Sequence, residues 1–262
     1  MRERKIFLSF AVLIVALIFL GISANAIAAI VKWSQLPSME PMDGYSFSSE
    51  TQVPSSVADD FLCKDGRPVI GLTWWGSYWN PTRGGVSYYP YPNSDTWGDP
   101  VPNPPGTVTG FVVTFWSDIP TGQGIPPWSH PGTVVYGETI PFSQVKETIY
   151  GTITRGSSVE TVFQYDAALP SPFEQELGKI YWLSIQALDP NGDPIQWGWH
   201  ESTDLWNDNA VQTGYSPYGW WDFLPGEDMA FEIKVVPIPT TLLLLGTGLL
   251  GILGLKRRSR LG

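Results

Sequence analysis

A single cysteine, two histidines and only 15% charged residues in a chain of 262 already close several doors. With Cys63 alone no intramolecular disulfide can form, so this chain must be held by its core. At this length a core of sufficient size is available. Cys63 follows Phe61 and Leu62 and reads as a small buried hydrophobe. His130, in Trp128-Ser129-His130-Pro131-Gly132, and His200, at the end of an apolar stretch, have no partner motif around them. Gly-x-Ser-x-Gly, His-Glu-x-x-His and a phosphate loop are all missing. Both histidines are therefore expected to be structural, and the chain is expected not to be an enzyme. Basic residues are scarce as well: 15 against 25 acidic ones. Seven of the 15 lie in the terminal segments with one of the acidic residues, which leaves residues 27–235 with eight against 24, a net charge of −16. Such a surface repels phosphate backbones, so no nucleic-acid partner is expected.

Long apolar runs occur only at the two ends. Arg2, Arg4 and Lys5 precede the apolar stretch from Ile6 to Leu20, and Ala24-Asn25-Ala26 supplies a small-x-small cleavage site, the pattern of a secretory signal peptide over residues 1–26. At the other end, residues 241–255 carry no charge and are rich in Leu and Gly. As a helix this run spans about 23 Å, short of the roughly 30 Å hydrocarbon core of a bilayer. Lys256, Arg257, Arg258 and Arg260 follow it and favour a cytoplasmic C-terminus. The segment between this tail and the body is Val236-Pro237-Ile238-Pro239, whose prolines cannot extend a strand ladder. An ordinary stop-transfer anchor accounts for the same features.

The order of Pro-x-Pro, short Leu/Gly helix and basic end over residues 236–260 resembles the PEP-CTERM sorting signal of exosortase-processed bacterial proteins. Ile238 stands where that family usually carries glutamate. The resemblance implies an exosortase-type processing enzyme as partner and a membrane-anchored precursor held by the C-terminal helix. It also implies delivery of residues 27–235 to the cell surface or an exopolysaccharide matrix. The body resembles, more loosely, exported bacterial domains that carry such tails and have no assigned activity. The matching pieces are Lys32-Trp33-Ser34-Gln35, Val57-Ala58-Asp59-Asp60-Phe61-Leu62-Cys63, Trp74-Trp75-Gly76-Ser77-Tyr78-Trp79 and Trp197-Gly198-Trp199-His200.

Between the terminal segments the pattern is all-β. Phe111–Trp116 is β-branched and aromatic throughout, and Val159–Tyr165 alternates with Phe163 and Tyr165 on one face. Ile180–Ile185 reads as a buried strand with Ile195–His200 as its neighbour. Met229, Phe231, Ile233 and Val235 alternate with Ala230, Glu232 and Lys234 in a closing strand, and 69–75, 134–136 and 145–153 are further strands. Gly/Pro-rich turns separate them, which points to one antiparallel β-sandwich or jelly-roll-like domain over 27–235. Ser171–Leu177 is the one helical-looking piece.

Thirteen tryptophans dominate the composition. Aromatic faces stack on sugar rings, so exposed tryptophans are candidate saccharide contacts. Trp79, Trp97, Trp128 and Trp220 lie in loop-like stretches and are the candidates for exposure. Trp197 and Trp199 should share a strand face, whereas Trp74 and Trp75 must point apart. Asp189, Asn191 and Asp193 alternate around a Gly turn as in calcium loops, although a plain hairpin turn explains the same residues. No cofactor other than calcium is suggested. Two readings stand: a surface or matrix protein associated with exopolysaccharide, and a carbohydrate-binding module with an exposed tryptophan site, calcium-supported if the Asp189–Asp193 loop binds the ion.

Overall fold

The computed structural model describes residues 29–42, 44–51, 55–78, 108–155, 158–188, 197–213 and 221–237. Fourteen strands follow in chain order: β1 (Ile30–Gln35), β2 (Ser46–Ser48), β3 (Val57–Leu62), β4 (Val69–Tyr78), β5 (Gly110–Ile119), β6 (His130–Pro141), β7 (Lys146–Arg155), β8 (Ser158–Phe173), β9 (Ile180–Leu188), β10 (Trp197–Ser202), β11 (Val211–Gln212), β12 (Asp222–Phe223), β13 (Asp228–Met229) and β14 (Phe231–Val235). A 3₁₀ turn at Phe142–Gln144 links β6 to β7. Ile30–Val235 is one compact unit; of the second, which comprises the chain before and after it, only 29, 236 and 237 are described. Among the described residues no helix is long and apolar enough to cross a membrane. Residues 241–255, read from sequence as the sorting helix, lie outside the described residues, as do Ala24 and Ala26.

The strands form two antiparallel sheets. The larger has eight strands: β1, β14, β4, β10 and β13 in order, with β2 on β10, β8 on β4 and β7 on β8. The smaller has six, in the order β12-β11-β3-β9-β5-β6. Alternation decides which side chains meet between them. From the larger sheet come Leu72 and Trp74 of β4, Phe163 and Tyr165 of β8, Trp197 and Trp199 of β10 and Phe231 and Ile233 of β14. From the smaller come Phe61, Phe111, Phe115, Leu183 and Ile185. The aromatic rings interlock: Trp74 stacks on Tyr165 at 5.5 Å with planes 15° apart, and Phe111 meets Trp197 edge-on at 5.2 Å. The all-β, sandwich-like expectation therefore holds.

Two local expectations fail. Trp197–Ser202 does not neighbour Ile180–Leu188; it pairs with β4, β2 and β13 in the larger sheet. The reason is topological, because β9 is already paired on both edges, with β3 and with β5. Ser171–Leu177 is not helical either. Its first three residues complete β8, where Phe173 stacks on Phe115 at 4.4 Å, and a loop follows. Pro172 and the burial of Phe173 keep the chain extended where local propensity would favour a turn of helix.

Both faces of the tryptophan pair are buried. Trp74 enters the main core, and Trp75 on the far side joins Ile153, Val162, Ala230 and Met39. Met39 belongs to a strap, residues 36–42 and 44–45, that lies over the outer face of the larger sheet. It is tied down by Ser38 N–H to Glu201 O at 3.0 Å and Glu201 N–H to Tyr45 O at 2.9 Å. Cys63 is buried, as its setting predicted.

Candidate functional site

Of the thirteen tryptophans ten are described; six are buried and four half-buried. Trp128, expected in an exposed loop, is half-buried on the outer face of the smaller sheet. Its Nε1 donates to Trp221 O at 2.9 Å, and its ring packs on Phe223 at 5.3 Å. Trp116, Trp182 and Trp221 complete this outer cluster with Ala58 and Val211. Trp116 and Trp221 meet edge-on, with planes 80° apart, so they present no coplanar pair to a sugar ring. Trp79, Trp97 and Trp220 lie outside the described residues, as do Asp189, Asn191 and Asp193. Among the described residues no three side chains of His, Cys, Asp or Glu come together as a metal ion would need. Val236 is exposed just past β14; Pro237 follows it, while Ile238, Pro239, Lys256, Arg257, Arg258 and Arg260 lie outside the described residues.

Three polar arrangements that sequence reasoning missed stand out. The first joins adjacent aspartates on β3 to distant loops. Asp59 points between the sheets, where its Oδ2 accepts from Met229 N–H at 2.7 Å and Gln35 Nε2 at 3.1 Å. Asp228, at the start of β13, accepts from Trp206 N–H at 2.6 Å and lies 3.4 Å from the same Gln35 nitrogen. Asp60 points the opposite way, and its Oδ2 accepts from Asn207 Nδ2 at 2.6 Å. Its Oδ1 is buried without a hydrogen-bond partner. Burial raises all three carboxyls: Asp60 to about 8, Asp228 to about 7, and Asp59 well above the usual carboxylate range, with Asp228 and Asp60 adding repulsion. Asp59 and Asp60 are adjacent on β3 and so face apart, but Asp228, Gln35 and Asn207 are remote along the chain.

The second arrangement brings together the residue types of a nucleophilic triad. Ser46 Oγ lies 2.9 Å from His200 Nδ1, and Glu160 Oε1 lies 3.7 Å from the same nitrogen. His200 Nε2 lies 2.7 Å from Ser38 O, an acceptor only, so Nε2 carries hydrogen, and the Ser46 hydroxyl lies within reach of both Nδ1 and Glu160 Oε1. Glu160 also accepts from Ser77 Oγ at 2.6 Å. The carboxylate therefore orients hydroxyls, and a backbone carbonyl fixes the ring. His200 and Glu160 are sealed beneath the strap, at 0% and 1% exposure. This geometry suits a polar rivet between strap and sheet, and the ring has no exposed surface.

The third is open. A groove of about 760 Å³ runs where the end of β5, β6 and the β8–β9 loop meet. Tyr136, Phe173 and Tyr181 give it aromatic character; Asp118, Glu174 and Lys179 give it charge. Both tyrosine hydroxyls are anchored, Tyr136 Oη donating to Ser171 O at 2.8 Å and Tyr181 Oη accepting from Glu176 N–H at 3.0 Å. Lys179 is paired with Glu176 at 2.8 Å, so the groove keeps an acidic excess. Such a lining accommodates neutral, hydroxyl-rich ligands better than anions.

An antiparallel two-sheet domain of this kind, with its catalytic-looking residues buried, defines a class by architecture alone. Residues 31–234 match the model of a family described as a domain of unknown function (DUF7901), and the chain belongs to that family. The comparison with curated proteins gives no match.

Proposed function

We propose that this is a non-enzymatic surface or extracellular-matrix protein, exported by its N-terminal segment and sorted by its tail through an exosortase-type enzyme. One observation carries the reading. The compact unit ends at Val235, the last residue of β14, and the Pro-x-Pro stretch begins at the next residue but one. Cutting the chain at or beyond this point removes no strand from the core. The burial of His200 and Glu160 supports a structural rather than chemical role for the one triad-like constellation described above.

The test is cell fractionation of the full chain against two variants, one lacking residues 236–262 and one with Pro237→Ala and Pro239→Ala. The full chain should reach the surface or matrix at a mass reduced at both ends. The truncated chain should escape to the medium, and the proline variant should stay in the inner membrane with its tail attached. Full-length protein in the cytoplasm, with both ends intact, would overturn the reading.

A saccharide-binding role is favoured by the groove rather than by the tryptophans, since those described are buried or packed edge-on. Binding to the producing organism's exopolysaccharide should weaken in Tyr136→Ala and Glu174→Gln. Equal binding by these variants would remove the groove from consideration.

A further inference from the structure

Cys63 alone would be an inert buried thiol. What sets it apart is the amine held against it. Lys32 on β1 places Nζ 3.6 Å from Cys63 Sγ, with its side chain only 2% exposed. That ammonium is fixed from three other sides: by Asp65 Oδ1 at 3.1 Å, by Arg67 O at 3.2 Å and by Gln175 Oε1. Long lysine side chains seldom surrender this much freedom, so nitrogen and sulfur are pre-positioned. A second, independent observation is Gln175 itself. It is 8% exposed, its Oε1 is committed to Lys32, and its Nε2 is buried with no partner. The same amide thus brings an unused donor beside the Lys32–Cys63 pair.

We propose that Lys32 and Cys63 form a redox-sensitive pair which a peroxide joins covalently, nitrogen to sulfur, fastening β1 to the end of β3. The sulfur attacks hydrogen peroxide, the O–O bond breaks, and the departing hydroxide takes the thiol proton and leaves as water. Cys63 becomes a sulfenic acid, sulfur oxidised and peroxide reduced. Lys32 then gives up one ammonium proton to water through the solvent-facing Asp65 carboxylate, and its lone pair attacks Sγ. The S–O bond breaks, and the hydroxide leaves as water with a proton from the nitrogen. Gln175 Nε2 is the donor placed to hold the departing oxygen. One peroxide is consumed, two waters form, and the linked pair is lighter by two hydrogens. With no second cysteine in the chain, an intramolecular disulfide cannot compete for the sulfenic acid.

Access comes from the β8–β9 loop. Cys63 is tied to it by Cys63 N–H to Lys179 O at 2.9 Å and Gly178 N–H to Cys63 O at 2.8 Å. The loop borders the open groove, and Gly178 turns there with φ at 80°. Loosening this short loop exposes sulfur without disturbing the sheets.

The experiment exposes protein recovered from cells expressing the full chain to hydrogen peroxide, followed by alkylation, digestion and peptide mass mapping. Oxidation of Met42, which is 83% exposed, reports that peroxide was effective. The expected product is a Lys32 peptide joined to a Cys63 peptide, two hydrogens short of their sum and separated again by a phosphine reductant. The link should be missing in Cys63→Ser. In Lys32→Arg, which keeps the cation beside Asp65, Cys63 should go on to sulfinic acid. Oxidation should raise the unfolding temperature of the wild-type protein and leave that of Cys63→Ser unchanged. Three results would overturn the proposal: Cys63 still a thiol while Met42 is oxidised, sulfinic acid in wild type as fast as in Lys32→Arg, or a joined pair that retains the oxygen.

Discussion

Gly76 lies beneath the indole of Trp197. A Cβ added to Gly76 would come within 2.5 Å of Trp197 Cζ2 and 2.6 Å of Gly198 O. The close approach is what lets Trp197 lie fully buried between the sheets and donate its Nε1 to Tyr165 Oη at 3.2 Å. Tyr165 in turn stacks on Trp74, so one missing methyl group supports three large aromatic rings.

Gly76→Ala is therefore expected to destabilise by about 1–3 kcal/mol, since the ring and the backbone carbonyl must both give way. For a domain of this size that is a fall of about 2–4 °C in Tm per kcal/mol. Trp197→Leu in the Gly76→Ala background should cost less than Trp197→Leu alone, because the overlap is relieved. Thermal unfolding of the four proteins in this cycle decides the matter. Strictly additive effects would mean that the two residues do not press on each other.

The strands were legible because alternation and β-branched runs are local properties. Phe111 to Trp116, Ile180 to Ile185 and the alternation from Phe231 to Val235 all fall in strands, whereas Met229, expected in the same closing strand, ends the separate β13 because the ladder changes partner at Ala230. Partner choice was not legible: nothing near Trp197 says that β4, rather than β9, will receive it, because this depends on both edges of β9 being occupied by segments far away. The buried networks hid for the same reason. Ser46 and His200 are 154 positions apart, and Asp59 meets Met229 across 170. The tryptophans misled in a different way. Composition announces aromatic surface area but not which side of a pleat it occupies, and in this domain the larger sheet buries tryptophan on both faces while the smaller carries it on its outer face.

Replacing His200 with alanine should loosen the strap rather than abolish a reaction. The substitution leaves Ser38 O without the ring nitrogen that now lies 2.7 Å from it, while Ser46 Oγ keeps Glu160 and Ser77 within reach. A buried carbonyl so orphaned costs about 1–3 kcal/mol. Limited proteolysis should then cut first within residues 36–45, which should stay uncut in wild type, and the unfolding midpoint should drop. A midpoint equal to that of wild type, with the strap still protected, would show that the ring contributes nothing to holding it.

Stability should rise as the solution is made mildly acidic. Asp60 has its carboxyl pushed up to about 8 by burial, against 3.8 when exposed, and Asp228 is raised to about 7. In the range between, the folded chain keeps protons that the unfolded chain has released, so unfolding loses protons and each such group weakens the fold as pH rises. The slope is at most about 1.4 kcal/mol per pH unit per group. Asp59, raised in the same direction, adds to it. Asp65 works the other way: burial alone would raise it, but hydrogen bonds from Arg67 and Lys32 outweigh that and hold it at about 2. Its contribution is present above its unfolded pKa and is lost as pH falls from 3.8 towards 2. The midpoint of thermal unfolding should thus peak near pH 4 and decline steadily to about pH 8. Asp60→Asn copies the shape of the protonated side chain without its titration. It should match wild type near pH 4, exceed it at pH 8 and show a shallower slope between. A midpoint for wild type that is flat or climbs from pH 5 to 8 would mean that Asp60 and Asp228 are ionised in the fold, and that Asp60 Oδ1 has found a partner in solution.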